Sequence, residues 1–180
     1  MPKIILGFTG LIACGKGTAT QYLKEKYGAE TFRFSTMLRD VLDRLYLAHT
    51  RENMSGISTG LRNIFGQDLM AKVMSQDVEN SQAELIVVDG IRRMDDIKYL
   101  RALPNFKLVA IVADMKIRYE RLLTRGENSD DQNKTWEEFQ ADHQLETELT
   151  ILDTMKAADI AINNDGSLEN LQKQLDELVK

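Results

Sequence analysis

An α/β architecture, with a parallel sheet covered by helices on both faces, is what this sequence predicts, and three observations carry the prediction. Strand-like and helix-like segments alternate in the order β-α-β-α, further helices, then β-α-β-α-β-α, and parallel strands need crossover connections of the kind helices supply. The segment Phe106 to Val112 (FKLVAIV) is nearly continuously apolar, as expected of a strand covered on both faces. With 180 residues, 43% hydrophobic and 28% charged, the chain has the size and composition of one domain, 1–180, with a core of its own.

The elements follow from period and punctuation. Lys3 to Phe8 is a short apolar run closed by Thr9-Gly10, the first strand. Lys16 to Lys26 is helical, with Tyr22 and Leu23 one turn beyond Ala19 and Tyr27-Gly28 as the stop. Thr31 to Phe34 is a strand candidate. Ser35 then caps a helix whose apolar face is Met37, Leu38, Val41, Leu42, Leu45 and Tyr46. The polar, glycine-bearing stretch His49 to Gly60 reads as a surface connection, followed by short helices at Leu61 to Phe65 and Asp68 to Val78. Glu84 to Asp89 (ELIVVD) is a β-branched strand ending in Asp-Gly, and a helix from Asp95 to Leu103 stops before Pro104. After the strand Phe106 to Val112, a long helix begins near Met115. The charged run Gly126 to Lys134 interrupts it, and Thr135 with Glu138 forms a capping box that restarts a helix carrying Trp136 and Phe139. Ile160 to Asn163 is the last strand and Ser167 to Lys180 the closing helix, with Leu168, Leu171, Leu175 and Leu178 on one face.

Composition excludes several classes. A net charge of -5 leaves no generic basic footprint for nucleic acid. One cysteine, Cys14, permits no intrachain disulfide framework, and the start lacks an apolar stretch suited to a signal peptide or membrane span, so the expected address is the cytoplasm.

Chemistry concentrates after the first strand. Gly10 to Thr18 (GLIACGKGT) sits between strand and helix, where a phosphate loop belongs. Gly10, Ala13, Cys14, Gly15 and Gly17 shape a backbone whose N–H groups converge on phosphate, the helix N-terminus adds positive potential, and Lys16 supplies a point charge. Gly17 stands where the motif has a hydroxyl residue; Thr18 follows it and is the expected Mg²⁺ ligand. Asp89, ending an apolar strand, is the expected metal-side carboxylate. Gly90 follows it in place of a Glu that would orient a hydrolytic water, which disfavours a motor ATPase. Asn133-Lys134-Thr135-Trp136 lacks the Asp of a guanine-binding motif. Phosphoryl transfer needs cations where charge spreads in the transition state. The candidates are Arg39, Arg92 and Arg93, Arg118, and the pair Arg121 and Arg125 four apart on one helix face. His49, His143, Trp136 and the methionines read as surface or packing residues, and Cys14 as inert packing.

These motifs resemble the P-loop nucleoside monophosphate kinases. The G-K-G-T form is theirs, Phe34 to Arg39 is similar to the acceptor-side segment of adenylate kinases, and Val88 to Arg93 resembles their Asp-Gly-Phe-Pro-Arg segment, with Arg93 on the phosphates and Arg92 as its rival. Arg121 to Gly126 resembles the start of their lid. Glu120 to Arg125, and Ala158 to Glu169, resemble dephospho-coenzyme A kinase, although Ser35 stands where that enzyme has an acidic residue. The stretch from Arg51 through Gly66 to Ser129-Asp130-Asp131 most resembles predicted, uncharacterised nucleotide kinases allied to that enzyme.

The resemblance implies a three-layer P-loop NTPase fold with a five-stranded parallel sheet in the order 2-3-1-4-5, acceptor-binding helices at about 35–80 and a small lid at about 121–135. It implies ATP and Mg²⁺ as cofactors, with Lys16, Arg93, Arg121 and Arg125 catalytic, Asn164 and Gly166 near the adenine beside Arg121, and Ser35, Arg39, Arg62, Asp89 and Arg92 on the acceptor. The implied activity is transfer of the ATP γ-phosphate to a nucleoside or deoxynucleoside monophosphate. Dephospho-coenzyme A kinase and an ATP-binding regulator with little turnover are the alternatives. The implied partner is a small nucleotide acceptor, without nucleic acid or membrane, in a monomer or homodimer.

Overall fold

The computed structural model describes residues 3–125 and 131–180. Five strands, β1 (Ile4–Thr9), β2 (Glu30–Arg33), β3 (Leu85–Ile91), β4 (Phe106–Val112) and β5 (Ile160–Asn163), form one sheet in the order β2-β3-β1-β4-β5. Every pairing is parallel. The helices between them are α1 (Lys16–Tyr27), α2 (Phe34–Arg44), α3 (Arg51–Phe65), α4 (Leu69–Asn80), α5 (Met115–Arg125), α6 (Trp136–Asp142), α7 (Glu146–Lys156) and α8 (Leu168–Leu178).

Strand period sorts the core into two layers. Leu6, Phe8, Val87, Val109 and Ile111 point to one face and pack with Ala19 and Leu23 of α1 and Leu171 and Leu175 of α8. Their neighbours Ile5, Ile86, Val88 and Leu108 point to the other and pack with Met74 and Val78 of α4. Because side chains alternate along a strand, both faces of the central strands must be apolar, which is why these strands read as unbroken hydrophobic runs. Register brings the carboxyl ends of β1, β2 and β3 level: Phe8 and Arg33 both pair with Asp89. Ligands of open α/β sheets bind beyond such ends.

Four expectations change. The N-cap of α2 is Arg33, since β2 runs directly into the helix, so Ser35 lies inside the first turn. Leu45 and Tyr46 fall past the end of α2 and are 53% and 88% exposed, with Tyr46 at φ 57°, so they do not continue its apolar face. The stretch from His49 to Gly60 is mostly helix: Thr50 accepts a hydrogen bond from Asn53 N at 3.1 Å and starts α3. Its half-buried residues Met54, Ile57, Ser58, Leu61 and Arg62 keep helical spacing, which the polar and glycine content obscures. The segment Asp95 to Leu103 forms two 3₁₀ turns, Met94–Ile97 and Leu100–Ala102, in which the buried Ile97 and Leu100 lie three apart, as three residues per turn requires. The capping box of Thr135 and Glu138 is present at the start of α6.

Candidate functional site

β1 ends at Thr9 and α1 starts at Lys16, and the intervening loop is held in a strained, closed shape. Gly15, the N-cap of α1, has φ 104°, and a Cβ there would lie 2.1 Å from Asn164 Nδ2. Gly10 has φ 150°, and a Cβ would meet the Ile111 carbonyl at 2.5 Å. Ala13 adopts φ 59° without being glycine, a conformation that surrounding contacts must hold. Those contacts come from far along the chain: Asn164 Nδ2 donates to Cys14 O at 2.8 Å, and Arg118 Nη1 donates to Ile12 O at 3.3 Å. Lys16 Nζ donates to Gly10 O at 2.6 Å and Leu11 O at 3.1 Å, so its charge lies over the loop.

Two clefts flank the loop. One, about 190 Å³, is lined by Gly15, Thr18, Arg121, Asn164, Gly166, Leu168 and Leu171. Here Arg121 Nη2 donates to Asn164 O at 2.8 Å, while its Nη1 is buried without a partner. The other, about 260 Å³, is lined by Gly17, Thr20, Gln21, Lys24, Arg33, Thr36, Arg39 and Asp89, with Thr31 and Phe32. Asp89 is 5% exposed; its Oδ2 accepts from Arg33 Nη2 at 2.6 Å, and its Oδ1 is buried without a partner. Thr20 Oγ1 is likewise buried and unpartnered. Arg39 Nη1 donates to Ser35 Oγ at 3.0 Å across one turn of α2.

The sequence candidates therefore divide. Lys16 lies over the loop; Thr18, Arg121, Asn164 and Gly166 share the first cleft; Gly17, Arg39 and Asp89 share the second. Thr18 and Asp89, expected on one metal, line different clefts on opposite sides of the loop. Arg62 is half-buried, with Nη1 donating to Gln67 O at 2.8 Å; burial, then the like charge of Arg93, pulls its pKa down from the usual arginine value. Neither Arg62 nor Arg93 lines either cleft. Arg92 and Arg93 are exposed, and their backbone N–H groups donate to Asp96 Oδ2. Arg125 closes α5, but its side chain, like residues 126–130 of the expected lid, lies outside the described residues. Cys14 is buried, and Trp136 packs edge-on to Tyr119 at 5.2 Å.

Sequence reading passes over Arg33, Thr20, Gln21 and Lys24. The last three were findable, because together with Gly17 they stand three or four apart on α1 and so share one face. Among the described residues no group of three or more His, Cys, Asp or Glu side chains is arranged to hold a metal ion. A single free carboxylate oxygen, as on Asp89, still fits Mg²⁺, which keeps waters and takes phosphate oxygens alongside one or two carboxylates.

Residues 9–140 match the family model described as AAA domain. A UPF0200 protein of Thermococcus gammatolerans is 31% identical over 182 aligned residues, covering 98% of this chain and 94% of that protein. A UPF0200 protein of Sulfurisphaera tokodaii is 27% identical, covering 98% and 96%. Among solved structures, a shikimate kinase from Bacteroides thetaiotaomicron superposes with TM-score 0.63 at 12% identity over 97% of this chain and 96% of that one. A dephospho-CoA kinase from Campylobacter jejuni does so with TM-score 0.57 at 18% identity over 98% and 96%. At such identities these structures are evidence of a shared P-loop kinase-like fold and of nothing finer.

Proposed function

The chain belongs to the AAA domain family and, within its relatives, to the UPF0200 proteins, and from that footing we propose that it is an ATP- and Mg²⁺-dependent small-molecule phosphotransferase of the nucleoside monophosphate kinase type. The observation that carries this reading is the pair of clefts, one on each side of a phosphate loop. A hydrolase needs room for a nucleotide and a water; a transferase needs a donor site and an acceptor site that meet at the transferred group.

In this reading the backbone of Gly10 to Thr18 binds the ATP phosphates, and Lys16 leaves the Gly10 and Leu11 carbonyls to bridge the transferred group. Adenine enters the cleft of Arg121, Asn164 and Gly166. The acceptor enters the cleft of Arg33, Arg39 and Asp89, with Ser35 orienting Arg39; Arg62, with Arg93 or Arg92, draws the acceptor phosphate from outside it. Arg121 and Arg125 supply charge from the lid side. Mg²⁺, when bound, would neutralise charge on the phosphates; the free Oδ1 of Asp89 or the hydroxyl of Thr18, which line different clefts, would hold it. Phosphoryl transfer needs little covalent help, so positioning and charge suffice when the acceptor is itself a phosphate.

One observation favours a second reading, with a ribose hydroxyl as acceptor. Asp89 Oδ1 is buried, unpartnered and in the acceptor-side cleft, where it is able to take a hydroxyl proton that Ser35 cannot. The test is ADP release from Mg·ATP with AMP, CMP, UMP, GMP, their deoxy forms, dephospho-coenzyme A or no acceptor. Stimulation by one monophosphate supports the first reading and stimulation by dephospho-coenzyme A the second. A flat response with ATP bound overturns both in favour of a regulator. Lys16→Ala is expected to abolish the stimulated rate with an unchanged far-UV CD spectrum.

A further inference from the structure

Arg118, on the first turn of α5, is 3% exposed. Its Nε donates to Ala113 O at 3.1 Å, and its Nη1 reaches the Ile12 carbonyl in the phosphate loop at 3.3 Å and His143 Nε2 at 2.8 Å. His143 Nδ1 lies 2.7 Å from Phe139 O. A carbonyl only accepts, so Nδ1 carries the ring proton, Nε2 accepts from the guanidinium, and the imidazole is neutral.

Among the described residues all three hydrogen-bond partners of this guanidinium are therefore uncharged. The centroid of the Phe139 ring lies 5.6 Å from the guanidinium carbon. Among the described residues no carboxylate is within ion-pair distance of Arg118; Glu148 of α7, Asp114 and Cys14 act on it from farther off. Arginine does not shed its proton to escape burial, and a buried charge without a paired counter-ion is costly. That cost is incurred directly behind the loop Gly10 to Thr18.

We propose that Arg118 is a positioning residue and buried counter-charge for the polyphosphate of a bound nucleoside triphosphate. It holds the Ile12 carbonyl in place and sets a unit positive charge behind the loop, and the anionic ligand adds the close counter-charge that no described carboxylate supplies. His143 keeps the guanidinium aimed by accepting from it without adding charge. This inference rests on the nucleotide-binding reading of the loop. It separates two quantities that a purely structural arginine would move together: removing the charge weakens triphosphate binding while relieving strain in the ligand-free fold.

The experiment compares wild type, Arg118→Gln and Arg118→Lys for Mg·ATP affinity by calorimetric titration and for thermal unfolding without nucleotide. Arg118→Gln is expected to bind at least about tenfold more weakly, the order that one unit charge contributes at short range through an effective protein dielectric. Its unfolding temperature is expected to equal or exceed that of wild type, and Arg118→Lys to recover part of the affinity. Equal affinity in Arg118→Gln, or a lowered unfolding temperature or failure to fold in that variant, overturns the counter-charge role. A wild-type protein that binds no nucleoside triphosphate overturns the nucleotide-binding reading itself, and that outcome is visible before any variant is made.

Discussion

Gly15 is where backbone conformation and tertiary packing make the same demand. Its φ of 104° disfavours any side chain, and the space a Cβ would take is held by Asn164, whose amide clamps the loop at Cys14. Gly15→Ala is therefore expected to cost about 1–3 kcal/mol for the backbone alone, and more through displacement of Asn164; denaturant unfolding of the variant against wild type measures it. The loop itself was legible at this scale, because glycines, Lys16 and Thr18 are local and their spacing between strand and helix is visible in one window. Arg33 was not, since its ion pair with Asp89 spans 56 residues and depends on a strand register that no local pattern encodes. In sequence Arg118 is one of several candidate arginines, and nothing local marks it as buried; its guanidinium meets His143, which caps the C-terminus of α6, 25 residues away.

At the scale of elements, α3 shows what hides a helix. None of its described side chains is fully buried, and its last hydrophobic side chains, Ile64 and Phe65, are 74% and 60% exposed. With so little packing behind it, α3 depends unusually on its own ends, and Thr50 closes one of them. Thr50→Ala is expected to cost about 1 kcal/mol and to raise amide exchange across Arg51–Phe65 while β1 and β3 stay protected. The central strands β1, β3 and β4, by contrast, were readable to within two residues, because burial on both faces writes a continuous apolar run. The stretch Asp95 to Leu103 misled because its apolar spacing suits a helix, whereas the chain there forms two 3₁₀ turns. Similarly, the apolar residues after α2 continue a helical period past the point where the backbone leaves the helix.

For the molecule as a whole, the outer helices are tied by charge as well as by leucines. Asp176 of α8 accepts from Lys26, Tyr22 and Tyr27 of α1 at 2.7–3.0 Å, and these bonds, that of Lys26 foremost, hold its pKa down at about 2 against an ordinary 3.8. A carboxyl depressed by folding stabilises the native state above its unfolded value and loses that contribution as pH falls through the folded one. Asp176→Asn is therefore expected to flatten the loss of stability between pH 3.8 and about 2, read by denaturant unfolding across that range. It should not abolish the slope, because Asp68, held down to about 2 by Tyr99 and Lys72, keeps its own. Sheet order was legible only through resemblance, since alternation of strands and helices states that a parallel sheet forms and leaves its sequence of neighbours open. That order has a consequence for synthesis. β1 is hydrogen-bonded on one side to β3 and on the other to β4, and the loop after it is clamped by Asn164, 150 residues beyond Cys14. A ribosome delivers the nucleotide loop early and its walls late, so the nascent chain acquires the closed loop only when β5 and the turn after it have emerged, as a property of the assembled sheet and of no growing fragment.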